Sequence, residues 1–126
     1  MAKFYKCQHC PNEVLMVVEA ACTPKCCGEP MLELKENTVE GVATEKHIPV
    51  FEIKGNELHV TVGSVTHPML EAHYIEWIFV ETDKNQMIHH LKPGEEPKAV
   101  FGLAEGEKVK KVSAYCNLHG LWTALA

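Results

Sequence analysis

The stretch YCNLHG, residues 115–120, sets a thiol and an imidazole three residues apart, Cys116 and His119. Such a pair can be two ligands of one metal ion, half of a nucleophilic couple, or two residues with no shared role. Far earlier in the chain, CQHC at 7–10 and CCG at 26–28 supply four more thiols in two tight pairs. A C-x-x-C turn aims two thiolates at one point. A second pair beyond a spacer of fifteen residues completes a tetrahedral sulfur set suited to zinc or iron. Geometry and ligand softness admit either metal. Cys22 is a fifth cysteine in this region, one more than a tetrahedral site uses. Its simplest reading is a small, partly buried residue. His9, inside the CQHC knuckle, is expected to face solvent.

Disulfides explain these cysteines poorly. Consecutive Cα atoms lie about 3.8 Å apart, below the lower limit of about 4.4 Å for a bridge, so Cys26 and Cys27 resist pairing with each other. The opening MAKFYKCQHC has no signal-peptide core, which points to a reducing cytoplasm where disulfides are rare.

Eight histidines stand at 9, 47, 59, 67, 73, 89, 90 and 119. Taken singly, a loop histidine is more often a surface residue than a ligand. His59, His89 and His90 fall within apparent strands and have no cysteine nearby. His47 in EKHIPV, His67 and His73 in THPMLEAH, and His119 beside Cys116 fall instead in loops or at strand ends. Pro68 pushes His67 away from helical backbone. Three separate loops thus offer His, two His, and Cys-His.

The elements that must position these groups are short strands. The chain has 126 residues, 46% of them hydrophobic, which suffices for one ordinary domain or one domain with a small appendage. Its net charge of −5 argues against nucleic-acid binding and membrane-surface binding, both of which favour a basic face. No apolar run approaches the ~20 residues of a membrane span. Residues 1–36 hold five cysteines and two apolar runs, VLMVV (14–18) and MLELK (31–35), that read as strands. A piece of this size needs a metal or a partner to hold itself together. Residues 37–45 read as a polar linker. From residue 48 onward the strands follow one another: VFEIKGNELHVTVG (50–63) reads as a hairpin about Gly55-Asn56, and HYIEWIFVETD (73–83) is rich in β-branched and aromatic residues. QMIHHLKPG, AVFGLA, KKVSAYC and LWTALA complete the series. No segment sustains a 3.6-residue period. The expected fold is all-β: a small cysteine-rich unit at 1–36, then an antiparallel sandwich of about seven strands at 37–126.

EKHIPV, GSVTHPMLEAHYIEW and YCNLHG together closely resemble the superoxide reductases, and YKCQHC with CCGEPM resembles desulforedoxin. Joined in this order they resemble the desulfoferrodoxin family, over nearly the whole chain. The resemblance implies a rubredoxin- or desulforedoxin-like first domain, an immunoglobulin-like sandwich, two iron ions, and reduction of superoxide to hydrogen peroxide. It assigns Cys7, Cys10, Cys26 and Cys27 to the first iron. It assigns His47, His67, His73 and His119 to the second as equatorial imidazoles, with Cys116 as the axial thiolate. Glu45 matches the residue that takes the sixth position of the oxidised iron, and Lys46 a positive charge beside it. Rubredoxin as electron donor and a homodimer are also implied. Pro11 and EAACTPK depart from the glycines usual around the first iron, while the cysteine spacing is unchanged. Two other readings compete: an electron carrier or oxygen sensor, against which the open site and Lys46 speak, and a zinc-stabilised interaction module, which has no need of four histidines.

Overall fold

In the computed structural model of the chain, residues 2–37 and 47–126 are described. Two compact units divide it, Met1–Lys35 and Glu36–Ala126.

The first unit is built on a three-stranded sheet. β1 (Lys3–Lys6) runs between β2 (Glu13–Met16) and β5 (Leu32–Glu33), antiparallel to both. Its apolar centre is small: Tyr5, Cys7 and Met31 are buried, with Cys10, Val14, Met16 and Cys26 packed against them. The strand expected over 14–18 stops at Met16. Val17 and Val18 are 86% and 77% exposed, so they bury nothing that would prolong it. A second, two-stranded ladder pairs β3 (Lys25–Cys26) with β4 (Glu29–Pro30). Cys27 and Gly28 form the turn between them, with φ of 53° and 78°. Two successive positive φ values characterise a tight hairpin turn. Glycine adopts them freely, and Cys27 is the one non-glycine among the described residues that does so.

The second unit is a sandwich of two sheets. One has the order β10 (Gln86–His90), β9 (Ile75–Thr82), β12 (Val109–Cys116), β13 (Gly120–Leu125), β6 (Glu36–Asn37). The other has the order β11 (Lys98–Gly102), β8 (Glu57–Val62), β7 (Pro49–Lys54). The β7–β8 hairpin turns at Gly55-Asn56 as expected, with Gly55 at φ 61°. Strict alternation sends Leu58, Val60 and Val62 of β8 and Ala99 and Phe101 of β11 into the core. They meet Ile78 and Val80 of β9 and Val112 and Ala114 of β12.

Seven strands, β7 to β13, pair antiparallel, and β6 is an eighth that pairs parallel to β13. Two polar residues carry no strand signal. β6 exists because its surroundings hold it: the Asn37 amide donates to the Leu121 carbonyl at 3.0 Å, and Glu36 pairs with the ammonium of buried Lys111. Asn37, expected in the linker, therefore belongs to a strand. The rest of that linker lies outside the described residues.

Candidate metal centres

Where β1 ends, the chain turns back through the CQHC knuckle, fixed by the Cys7 N–H donating to the Asn12 carbonyl at 2.9 Å. This aims the backbone N–H groups of His9 and Cys10 at the Cys7 sulfur, each at 3.4 Å. The β3–β4 turn brings in Cys26 and Cys27. Sulfur separations are 3.7 Å for Cys10–Cys26 and 3.9 Å for Cys26–Cys27, and all four sulfurs lie within 4.8 Å of one another. Metal–sulfur bonds of about 2.3 Å give a tetrahedron whose edges are about 3.8 Å, so the four atoms fit one ion. Their protonation agrees. The His9 N–H, with help from that of Cys10, holds Cys7 down at about 6. Interaction with the Cys7 sulfur, then with Cys10 and Cys26, pushes Cys27 up to about 12. Four thiolates cannot share this space without a cation. The Asn12 side-chain amide adds a donor to the Cys26 sulfur at 3.7 Å.

Cys22 is not part of this cluster. It is exposed rather than partly buried, because residues 17–23 form a surface loop between β2 and β3. His9 faces solvent as expected, in contact with Glu29 at 3.1 Å.

The second cluster is assembled from three loops around one end of the sandwich. Along β12 the inward positions are Val112, Ala114 and Cys116, so the thiol continues the core face and is fully buried. A β-bulge is needed there: Tyr115 faces Trp77, but Cys116 faces Ile75, so β9 carries an extra residue. Four imidazoles surround the thiol as a closed ring. Centroid separations are 4.7 Å for His47–His67, 4.8 Å for His67–His73, 5.1 Å for His73–His119 and 4.9 Å for His119–His47. Each adjacent pair meets edge to face, at 65–80°.

Such a ring turns nitrogen lone pairs toward a common centre. Nδ1 of His119 lies 3.2 Å from Nε2 of His47 and 3.8 Å from the Cys116 sulfur. Two nitrogens bound at right angles at about 2.1 Å would be about 3 Å apart. The His67 Nδ1–H donates to the Pro68 carbonyl at 2.7 Å, which leaves its Nε2 as the acceptor nitrogen. That Nε2 is buried and accepts no hydrogen bond. Burial, partly offset by the Pro68 carbonyl, holds the His67 imidazole down at about 4, neutral and able to ligate. Desolvation raises the Cys116 thiol, while N–H groups of Leu118 and His119 oppose it, so the sulfur ionises only with a cation nearby. The donor set, four imidazole nitrogens and one sulfur, fits an ion that takes five ligands.

The structure draws together His47, His67, His73, Cys116 and His119 in one place and Cys7, Cys10, Cys26 and Cys27 in another. Glu45 and Lys46 lie outside the described residues. His59, His89 and His90 join neither cluster. One contributor carried no motif signal: Trp122 of β13 stacks on His47 at 4.8 Å and donates its indole N–H to the His119 carbonyl at 3.0 Å. It read as an ordinary apolar residue of the last strand.

Comparison with known proteins agrees with both clusters. The desulfoferrodoxin family model matches residues 39–125. A desulfoferrodoxin of Nitratidesulfovibrio vulgaris is 48% identical over 126 residues, covering 98% of this chain and 96% of its own. The solved superoxide reductase of Treponema pallidum superposes with a TM-score of 0.85 at 33% identity, covering 98% of this chain and 97% of its own. A one-iron superoxide reductase of Giardia intestinalis, also 33% identical, covers 65% of this chain and 97% of its own, with a TM-score of 0.53. By sequence, fold and the two ligand clusters, the chain belongs to the desulfoferrodoxin family.

Proposed function

We propose that the protein is a superoxide reductase that converts superoxide to hydrogen peroxide. The observation that carries this reading is the closed ring of four imidazoles around one buried thiol. A structural zinc site is satisfied by four ligands and cannot change valence. Iron held by His47, His67, His73, His119 and Cys116 would supply the one-electron chemistry that reduction of superoxide needs.

The surrounding residues give the site its character. His47, His67, His73 and His119 would hold the iron through their ring nitrogens, and Cys116 through its sulfur. The Pro68 carbonyl fixes the tautomer of His67, and Trp122 fixes both His47 and His119. The N–H groups of Leu118 and His119 draw charge from the Cys116 sulfur and so tune the potential. Lys46 attracts the superoxide anion to a protein of net charge −5. Glu45 would supply a further ligand to the iron once it is oxidised.

Cys7, Cys10, Cys26 and Cys27 hold a second iron. Residues 1–36 form its domain and 37–126 the superoxide-reducing one. The Giardia relative, which covers 65% of this chain and almost all of its own, supports a separable second domain. Rubredoxin is the donor that restores the reduced state, and the protein works as a homodimer in the cytoplasm. No helix among the described residues is long and apolar enough to cross a membrane.

Pulse radiolysis of the reduced, iron-loaded protein tests the activity. We expect a fast bimolecular reaction with superoxide that slows as salt is added, since screening shortens from about 10 Å at 0.1 M to about 3 Å at 1 M. Lys46→Ile should slow the reaction about tenfold, within the span of steering effects, and flatten the salt dependence. Absence of reaction in the wild-type protein would overturn the reading.

A further inference from the structure

Two of the loops that carry the second cluster are joined through one side chain. Asn117 directly follows Cys116. Its carboxamide oxygen accepts the N–H of Tyr74 at 3.0 Å, and its carboxamide nitrogen donates to the carbonyl of Ala72 at 3.1 Å. Its backbone N–H donates to the Tyr74 carbonyl at 3.2 Å. Residues 72 and 74 flank His73. Asn117 therefore grips the main chain on both sides of that histidine.

The reason lies in the end of the sheet. The bulge between Tyr115 and Cys116 closes the regular β9–β12 ladder. Beyond it one backbone bond remains, from the Asn117 N–H to the Tyr74 carbonyl, and the Tyr74 N–H and Ala72 carbonyl are met by the Asn117 side chain instead. Only a side chain with both a donor and an acceptor at short reach satisfies both flanks at once, and asparagine is such a residue. Within the His73 loop, Leu70 and His73 exchange two backbone hydrogen bonds in an isolated bridge.

We infer that Asn117 is a positioning residue that fixes His73 relative to Cys116, and so sets the geometry and retention of the metal they share. This rests on the iron site proposed above. Asn117 does not touch the metal; it acts through the two loops. Groups that orient metal ligands typically change affinity by about 10–100-fold when removed.

The test compares three variants in the iron-loaded protein. Asn117→Ala removes both side-chain bonds. Asn117→Asp keeps the acceptor for Tyr74 but loses the donor to Ala72. Ser113→Ala removes a buried hydroxyl pair, Ser113 with Thr123 at 2.8 Å, on the same strand but away from the cluster. Two quantities are read: the rate of iron loss to a chelator, and the position of the visible thiolate-to-iron band of the oxidised protein. We expect Asn117→Ala to lose iron at least tenfold faster than wild type with a displaced band. Asn117→Asp should lie between the two. Ser113→Ala should lower thermal stability with the band unmoved. If Asn117→Ala does not fold, the Asp variant decides on the same two readouts. A wild-type band and release rate in the Asn117 variants, or changes no larger than those of Ser113→Ala, would overturn the inference. A visible band that survives Cys10→Ser belongs to the second centre and shows that site independently, so loss of this inference leaves the function intact.

Discussion

The two units solve the problem of a small core in opposite ways. In the first, the buried cluster is Tyr5, Cys7 and Met31, supported by Cys10, Val14, Met16 and Cys26. Three of these seven are members of the sulfur cluster. In the second, thirteen buried apolar residues form one core cluster among the described residues, and Cys116 alone among them belongs to a ligand cluster. A chain below about 40 residues buries too little apolar surface to fold unaided. The first unit therefore uses its metal ligands as its core. The second places its ligands on a core that is already complete. Cys27 shows the same contrast locally: its left-handed backbone is tolerated where the metal holds the turn together.

Metal removal should expose this difference most strongly. After treatment with a strong chelator, amide protons of β1, β2 and β5 should lose their protection from exchange, while those of β8, β9 and β12 keep it. Equal protection in both units would show that the first has a stable core of its own.

Next in size is Cys10→Ser. It should abolish the visible spectrum of the first centre and leave the bimolecular reaction of the pre-reduced second centre with superoxide within about twofold of wild type, as expected for independent sites. Loss of both together would show that the units fold as one.

A smaller effect is expected within the second unit. The Glu107 carboxylate takes hydrogen bonds from the Thr82 hydroxyl, from the Ala104 N–H at 2.8 Å and from the Asn85 amide at 2.9 Å, tying the β9–β10 turn to the β11–β12 loop. Thr82 first, then Ala104 and Asn85, hold its pKa below the usual glutamate range. A carboxylate lowered on folding contributes stability above its unfolded pKa of about 4.3 and loses it as pH falls through the lower folded value. Glu107→Gln should unfold more easily than wild type at pH 7, and the gap should close below about pH 4. A gap that stays constant down to pH 3 would show that the charge contributes nothing.

Cys22→Ser should change least. With four other sulfurs already gathered and Cys22 exposed, iron content and both spectra should match wild type. A fall in iron at the first centre would mean that Cys22 displaces one of the four.

How legible this was in the sequence depended on the range of the forces involved. Strands β7 to β13 were readable because β-branched and aromatic residues recur there between turn residues such as Gly55 and Gly94. β6 was not, because Glu36 and Asn37 owe their conformation to Lys111 and the Leu121 carbonyl. The members of each cluster stood out by type and spacing. The edge-to-face ring of imidazoles did not show in the sequence, since it depends on contacts such as His119 with His47, 72 positions apart. The roles of Trp122, Asn12 and Asn117 were hidden for the same reason: nothing in a tryptophan or an asparagine announces which loop it will meet.

The spread of the second cluster along the chain also orders events during synthesis. The sulfur cluster needs only residues 7 to 27, so its parts are present once the chain up to about Lys35 has left the ribosome. The imidazole ring spans residues 47 to 119, and it closes only after β9, β12 and the turn before β13 have paired. Domains generally form in the order they are made, and long-range pairings come late. A nascent chain thus holds its first ligand set while the second site is still separate loops. Metal scarcity during translation would leave the early unit unformed, whereas the later site can be filled afterwards in a finished sandwich.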